Sequence, residues 1–357
     1  VSPREELAAS PALYPFAIDQ WVDAVQFLRL SESEYAAASF HDKRMEVREG
    51  AAVWRSWRAV RESAAGMPER CHFIFHISHV GSTLLSRLLG GDPSFFALRE
   101  PSILRTLADI QRTLGEAGCP WSRAEFDDRL GIYLALWSRT FSPRATTVIK
   151  ATSFVSEMSD MLVRRVPSSR AVCMFVVPQT FLAALLGGAM SDITGRAASR
   201  LQRVHARLGT PRWRLSDLSP GEAVAMSWLS EMLALRATRE AFPDRVTWID
   251  FDAFLERPSD ELWCALRHLG SAATENDVAK LLSDQTMTRY SKAPQFEFNA
   301  GQRKILLEQA HQQHRSEIAK GLSWLESAAS EFPDVRRAIQ EAESHRGRPL
   351  EVARANA

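Results

Sequence analysis

The sequence predicts an α/β protein: a doubly wound, mostly parallel five-stranded sheet with helices on both faces. Three observations carry that expectation. Short apolar, β-rich runs alternate with amphipathic helical stretches from residue 71 onward. The runs are near-continuous in apolar residues, as in strands covered on both faces. The first of them passes through a small Gly/Ser/Thr turn directly into a Leu-rich helix. A chain of 357 residues is long enough for one large α/β domain or two small ones.

The five strands are read in order. Phe73–Ile77 is the first, followed by the turn Ser78-His79-Val80-Gly81-Ser82-Thr83 and a helix carrying Leu84, Leu85, Leu88 and Leu89. Gly90-Gly91-Asp92-Pro93 stops that helix, and Phe95–Leu98 makes a second strand ending at Arg99-Glu100-Pro101. Helices are expected at 103–113 and 123–139. Thr146–Lys150 is the third strand, a helix follows near 157–165, and Ala171–Val177 is the fourth strand. Pro178 then opens a helix running to Met190. Arg196, Arg200, Arg203 and Arg207 form a basic stripe at helical spacing, the usual pattern of a salt-bridged solvent face. A Pro/Ser-rich loop at 208–220 precedes a long helix at 222–242, and Val246–Phe251 is the fifth strand. Helices at 259–269, 275–282, 301–322 and 333–344 close the chain.

Residues 1–66 read as an N-terminal cap, with a strand at 24–30, a helix at 33–38, and Trp54 and Trp57 as anchors onto the main body. Residues 67–345 form the α/β domain, and a loose tail begins at about Arg346. Net charge is +1, which makes nucleic acid a poor default partner. Only six of the 44 basic residues are Lys; the Arg excess suits bidentate anion recognition. Four cysteines without a C-x-x-C pair argue for a reducing compartment and against a zinc site. No basic-then-apolar leader pattern opens the chain, and the twenty uncharged residues 171–190 are broken by Pro178. A cytoplasmic protein with no membrane partner is the expectation. His311 and His314 sit one turn apart without a third ligand nearby, so no metal is expected.

Strand, tight turn and helix aim backbone N–H groups and the positive end of a helix dipole at one point, which is an anion cradle. Gly81 permits close approach, and Ser82 and Thr83 add hydroxyl donors. The nucleotide-hydrolysing P-loop pattern is absent, because no Lys follows Gly81.

The turn resembles the phosphosulfate-binding loop of the P-loop sulfotransferases, P-[KR]-S-G-[ST]-T. Ser78 stands for the Pro, His79 for the basic residue and Val80 for the Ser, while Gly81-Ser82-Thr83 match. The likeness to bacterial, tyrosylprotein-sulfotransferase-like members spans about residues 70–325. Glu100 lies 21 positions after His79 at the second strand's end, where that family places the general base. Lys150 closes the third strand as V-I-K, similar to the Lys that contacts the transferring group. The segment from Trp228 through Pro243-Asp244-Arg245 to Asp250-Phe251-Asp252 and Arg257-Pro258 is similar to the family's late strand-helix pattern. Arg289-Tyr290-Ser291-Lys292 resembles the loop that folds over the donor and supplies a Ser near the sulfate.

The resemblance implies sulfuryl transfer from 3′-phosphoadenosine 5′-phosphosulfate (PAPS) to a hydroxyl or amine of a small-molecule or peptide acceptor. Glu100, Lys150, His79 and Ser291 would be catalytic. Ser78 to Thr83 would hold the donor, with Arg196, Arg200 and Arg203 of the basic stripe and Arg289 and Lys292 of the late loop as the nearest cations in sequence to replace the ligands of its 3′-phosphate. The sequence departs from the family in two places: His79 replaces the loop cation, and the usual 3′-phosphate positions fall near Val177 and Leu185. An ATP-using phosphotransferase on the same fold, or a non-catalytic nucleotide- or sulfate-binding module, is the alternative.

Overall fold

The computed structural model describes residues 6–7, 10–48, 50–188, 190, 194–283, 285–289, 291, 295, 297 and 299–345. The expected five-stranded sheet is present and all of its pairings are parallel. With β1 to β3 lying in the N-terminal extension, its strands are β4 (Cys71–His76), β5 (Phe95–Arg99), β6 (Thr146–Lys150), β7 (Ala171–Phe175) and β8 (Val246–Asp250), in the order β5-β6-β4-β7-β8. β6, β7 and nearly all of β4 are buried on both faces, which is why they read as unbroken apolar runs. The order reverses direction at β4, so the crevice of this sheet opens where β4 hands over to its helix.

Helix Ser159–Arg165 packs on helix Pro220–Ala241, and the sheet itself is covered by Ser82–Gly90 and Pro220–Ala241. The last is the central packing element, buried over most of its length. Its Trp228 indole N–H donates to the Val176 carbonyl at 2.9 Å, tying the helix to the end of β7. The fourth strand stops at Phe175, two residues short of the expected end, because its partner β8 ends opposite it at Asp250. The helix opened by Pro178 ends at Leu186 rather than Met190, with Gly187 as its C-cap. The single helix expected over 301–322 is two, Ala300–Gln313 and Arg315–Glu331, separated at His314. Trp213, from the Pro/Ser-rich segment, packs against Trp324 and Phe332.

The N-terminal extension holds a three-stranded antiparallel sheet, β1 (Leu13–Asp19), β2 (Ala24–Arg29) and β3 (Ala52–Ser56), in that order, with helices Glu32–Ala37 and Trp57–Ala64. Only β2 was legible: β1 carries a Pro and a register shift at Pro15/Ala17, and β3 has no fully buried residue. Trp57 anchors the extension as expected, packing on Tyr133 with Arg129 over its ring. Trp54 does not, being 51% exposed on β3. Two buried arginines supply the rest of the attachment. Arg139 donates to the carbonyls of Leu7, Ser10 and Leu13, each at 2.7 Å, and burial pushes its guanidinium down to about 10. Arg99, at the end of β5, donates to the carbonyls of Ala36 (3.1 Å), Ala38 (2.8 Å) and Tyr35.

Among the described residues, no helix is long and apolar enough to cross a membrane, and no group of three His, Cys, Asp or Glu could hold a metal ion. None of the four cysteines forms a disulfide in the structure.

Replacing Arg139 by Ala leaves three carbonyls of the extension without their donor. The cost expected is about 2–4 kcal/mol, read as a lower urea midpoint, with faster proteolysis in the extension than in the sheet. An unchanged midpoint would show that the extension is held by apolar packing alone.

Candidate functional site

A cleft of about 860 Å³ lies over the carboxyl ends of the strands. Its floor is the turn after β4. Three successive features make that turn unusual: Ser78 and His79 have φ of 84° and 53°, and Gly81 has φ of 64°. Left-handed backbone at Ser and His is uncommon outside sites where surrounding structure enforces it. Such a run curls amides inward to form an anion-binding concavity. Gly81 is the N-cap of helix Ser82–Gly90 and offers no side-chain cap. The first amide to bond within this helix is that of Leu85, to the Gly81 carbonyl at 3.0 Å, so the amides of Ser82, Thr83 and Leu84 precede the ladder. The Thr83 hydroxyl oxygen is buried without a hydrogen-bond partner, and Thr83 lines the cleft. Those are the features that a bound phosphate or sulfate completes.

Glu100 stands across the cleft from this turn. It is the residue after β5, and its φ of 53° is a genuine outlier for a long side chain. Parallel register explains its neighbour: Arg99 pairs with Lys150 at the end of β6, and the Glu100 amide donates to the Lys150 carbonyl at 2.7 Å. The Lys150 ammonium forms an ion pair with Glu100 Oε1, and Arg44 Nη2 donates to Oε2 at 2.8 Å. Burial works against ionisation of Glu100, but Lys150, His76 and Arg44 outweigh it and hold the carboxyl well below the usual carboxylate range. Arg44 is itself fixed by Asp42 at 2.6 Å and lies 3.4 Å over the Phe40 ring. His76, the last residue of β4, accepts the Ser78 amide at Nδ1 (3.1 Å), joining the turn to the charged cluster.

Ser78 to Thr83, Glu100, Lys150, Arg200, Arg289 and Ser291 all line this cleft. Lys292 lies outside the described residues. Ser291 presents its carbonyl to Arg87 of the cradle helix at 3.1 Å; the same Arg87 donates to Ser39 Oγ at 2.8 Å. That guanidinium therefore ties the late segment, the extension and the cradle helix together. The basic stripe is not the expected solvent face, since Arg200 and Arg203 are 3% and 4% exposed. Arg203 does not reach the cleft: it pairs with the buried Glu231 (3.0 Å) and donates to Ser156 (2.8 Å). Arg200 shares Glu231 at 2.9 Å while lining the cleft. Burial raises the Glu231 carboxyl, but Arg203 and Arg200 more than offset it and keep it below its ordinary range. Val177 and Leu185 are buried in the core, 4% and 0% exposed, and Ala183, Ala184, Gly187 and Gly188 form the wall there.

Sequence reasoning missed Phe40, Arg44, Arg105 and Arg303. Arg303 pairs with Asp252, which also accepts from Thr180 at 3.1 Å, and sits 4.9 Å over Phe251. The Phe251 ring in turn abuts Gly81, so a Cβ there would fall 2.0 Å from it. No local pattern marks these residues, because each is brought in by the packing of a separate segment.

No family model matches the sequence, and no curated protein does. Among solved structures, the chain is similar to a sulfotransferase domain from the curacin biosynthetic pathway. That match has 14% identity and a TM-score of 0.41 over 77% of this chain and 97% of that one. A sulfotransferase from Mycobacterium tuberculosis matches at 12% identity and a TM-score of 0.40, covering 73% of this chain and 82% of that one. A mouse sulfotransferase complexed with PAP matches at 10% identity and a TM-score of 0.38, covering 82% and 98%.

Replacing Gly81 by Ala should cost at least about 1–2 kcal/mol from the left-handed backbone alone, with further loss from overlap with the Phe251 ring. Thermal melts with and without sulfate should show both a lower melting point and a smaller sulfate-induced rise. A melting point unchanged in either condition would mean that the turn relaxes freely.

Glu100→Gln strands the buried Lys150 charge and is expected to cost about 3–5 kcal/mol. The double change Glu100→Gln/Lys150→Met should recover most of it in urea titrations. The sign with pH follows from the depressed carboxyl. Glu100 stabilises the fold above its unfolded value of about 4.3, and that contribution disappears as pH falls towards its lower folded value. Stability of the parent protein should therefore fall more steeply below about pH 4.3 than that of the double variant. Parallel acid limbs would contradict the pairing.

Proposed function

We propose that the protein is a sulfotransferase, moving a sulfuryl group from PAPS to an acceptor hydroxyl or amine by in-line displacement. The observation that carries this reading is a buried, ionised carboxylate at one strand end, paired with a lysine and facing an amide-lined anion turn in the same cleft. In-line transfer with a loose transition state needs a base at the acceptor, cations on the equatorial oxygens and donors on the leaving phosphate. Glu100, Lys150 and the Gly81–Thr83 turn fill those roles in that order.

The donor supplies the sulfuryl group and a phosphate leaving group; the chain's own residues do the rest. Ser82 and Thr83 direct amides and the unpartnered Thr83 hydroxyl at the 5′ end of the nucleotide. His79 and Ser291 both line the cleft, where each can donate to the anion. Lys150 has two demands on its ammonium, the Glu100 carboxylate and the transferring group. While it pairs with Glu100 it keeps that carboxylate weakly basic. Turning towards a new anion removes one cation from Glu100 and raises its basicity, so the base becomes effective when the cleft is loaded. Arg44 stays on Oε2 and keeps the carboxylate oriented.

The residues around the turn fit a 5′-phosphosulfate. The usual 3′-phosphate positions do not, because Val177 and Leu185 are core residues. Arg303, stacked on Phe251 beyond β8, and Arg289 of the late segment both line the cleft, and we assign them the compensating charge. Arg200 stays bound to Glu231.

Calorimetry with adenosine 3′,5′-bisphosphate against ADP and 5′-AMP tests the donor. Tighter binding of the bisphosphate is expected, with Arg303→Gln and Arg289→Gln each losing about tenfold. No preference for the 3′-phosphate would exclude PAPS and favour an ATP-type donor or a binding module. With an acceptor in hand, Glu100→Gln should lower turnover by about two to four orders of magnitude, with bisphosphate binding kept. Unchanged turnover would remove Glu100 from the mechanism.

A further inference from the structure

The strand order divides the cleft. The cradle follows the central strand β4; β7 and β8 lie on one side of it, β6 and β5 on the other. Phe251, Arg303 and the Ala183–Gly188 wall belong to the β7/β8 side, where the nucleotide is assigned. The β5/β6 side holds Glu100 and Lys150, and beyond them Arg105, Phe154 and Arg196.

This second lobe carries more positive charge than its neighbours neutralise. Asp42 is divided between Arg44 (2.6 Å) and Arg105 (3.2 Å), and Asp109 between Arg112 and Arg196 (2.5 Å for the latter). Lys150 takes Glu100. Four of these cations line the cleft, Arg44, Arg105, Lys150 and Arg196, against three carboxylates. Arg105 and Arg196 converge on one ring, with their guanidinium carbons 5.4 and 4.1 Å from the Phe154 centroid, and both line the cleft. Their side chains remain 31% and 30% exposed. Two guanidiniums fixed by stacking, each holding donors that a shared carboxylate does not use, form a preorganised grip for an anion.

We propose that the acceptor itself carries an anionic group, a carboxylate or sulfonate, held by Arg105 and Arg196 while its hydroxyl or amine faces Glu100. Naming this ligand the acceptor rests on the sulfuryl-transfer reading; the anion grip does not. The aromatic edges of Phe40 and Phe154 complete the lobe, so the acceptor joins its anion to an apolar or aromatic body.

Calorimetry on the full chain uses three probes of similar size: 4-hydroxyphenylacetate, 4-hydroxybenzenesulfonate and the neutral 4-hydroxyphenylacetamide. At least one anionic probe should bind about tenfold or more tightly than the amide, as expected for a charge-assisted bidentate contact. Arg105→Gln and Arg196→Gln should each erase most of that preference, while Arg105→Lys and Arg196→Lys keep part of it. Thermal melts of each variant establish that it is folded. Equal affinities, no binding by any probe, or a preference that survives both Gln variants would overturn the proposal. Bisphosphate binding, measured on the same samples, separates the two readings. If it fails while the anion preference holds, sulfuryl transfer falls and the anion grip stands.

Discussion

The ion pair between Glu100 and Lys150 is the constraint around which the cleft is built. Two charges at the ends of adjacent parallel strands are almost fully buried, 6% and 1% exposed. A pair in that position repays little in stability, because desolvation consumes most of the Coulombic gain. The chain surrounds it with further charge, Arg44 on the far oxygen and Asp42 behind Arg44, and it tolerates a left-handed backbone at Glu100 to make the contact. Strain and buried charge concentrated at the open end of a parallel sheet are what a reactive site needs and a purely structural core avoids.

The extension completes that arrangement. Arg99 grips the carbonyls at the end of helix Glu32–Ala37, and His41 bonds back to Arg99 through its amide (2.6 Å) and its ring Nδ1 (2.8 Å). Phe40 and Arg44 flank His41 and are thereby set on the cleft, with Asp42 behind Arg44. The N-terminal extension thus also supplies, through Arg44, a cation on Glu100. Attachment of the cap and orientation of the carboxylate are one piece of mechanics.

What the sequence revealed and what it concealed divide along the range of the interactions. The β4 turn was legible because strand, Gly-Ser-Thr and helix are consecutive, and Glu100 and Lys150 because each closes an apolar strand. Their meeting depended on β5 pairing with β6, a long-range fact that the alternating pattern only implies. Arg44 lies 56 residues from Glu100 and Arg303 lies 51 residues from its partner Asp252, and nothing local distinguishes them from solvent-facing arginines. The stripe from Arg196 to Arg207 misled for the opposite reason: its helical spacing is real, but Glu231 from the long helix draws Arg200 and Arg203 inward. A charge pattern shows periodicity and leaves the partner unnamed.

In the proposed complex the β4 turn receives the 5′-phosphate of a nucleotide whose reacting end points at the Glu100–Lys150 pair. A crystal structure with adenosine 3′,5′-bisphosphate tests it most directly. The 5′-phosphate is expected within hydrogen-bonding distance, about 2.7–3.1 Å, of the Ser82 and Thr83 amides and the Thr83 hydroxyl, with the Lys150 ammonium on the same side of that phosphate. A nucleotide seated elsewhere, or a 5′-phosphate on Arg105 and Arg196 with the β4 turn bare, would contradict it.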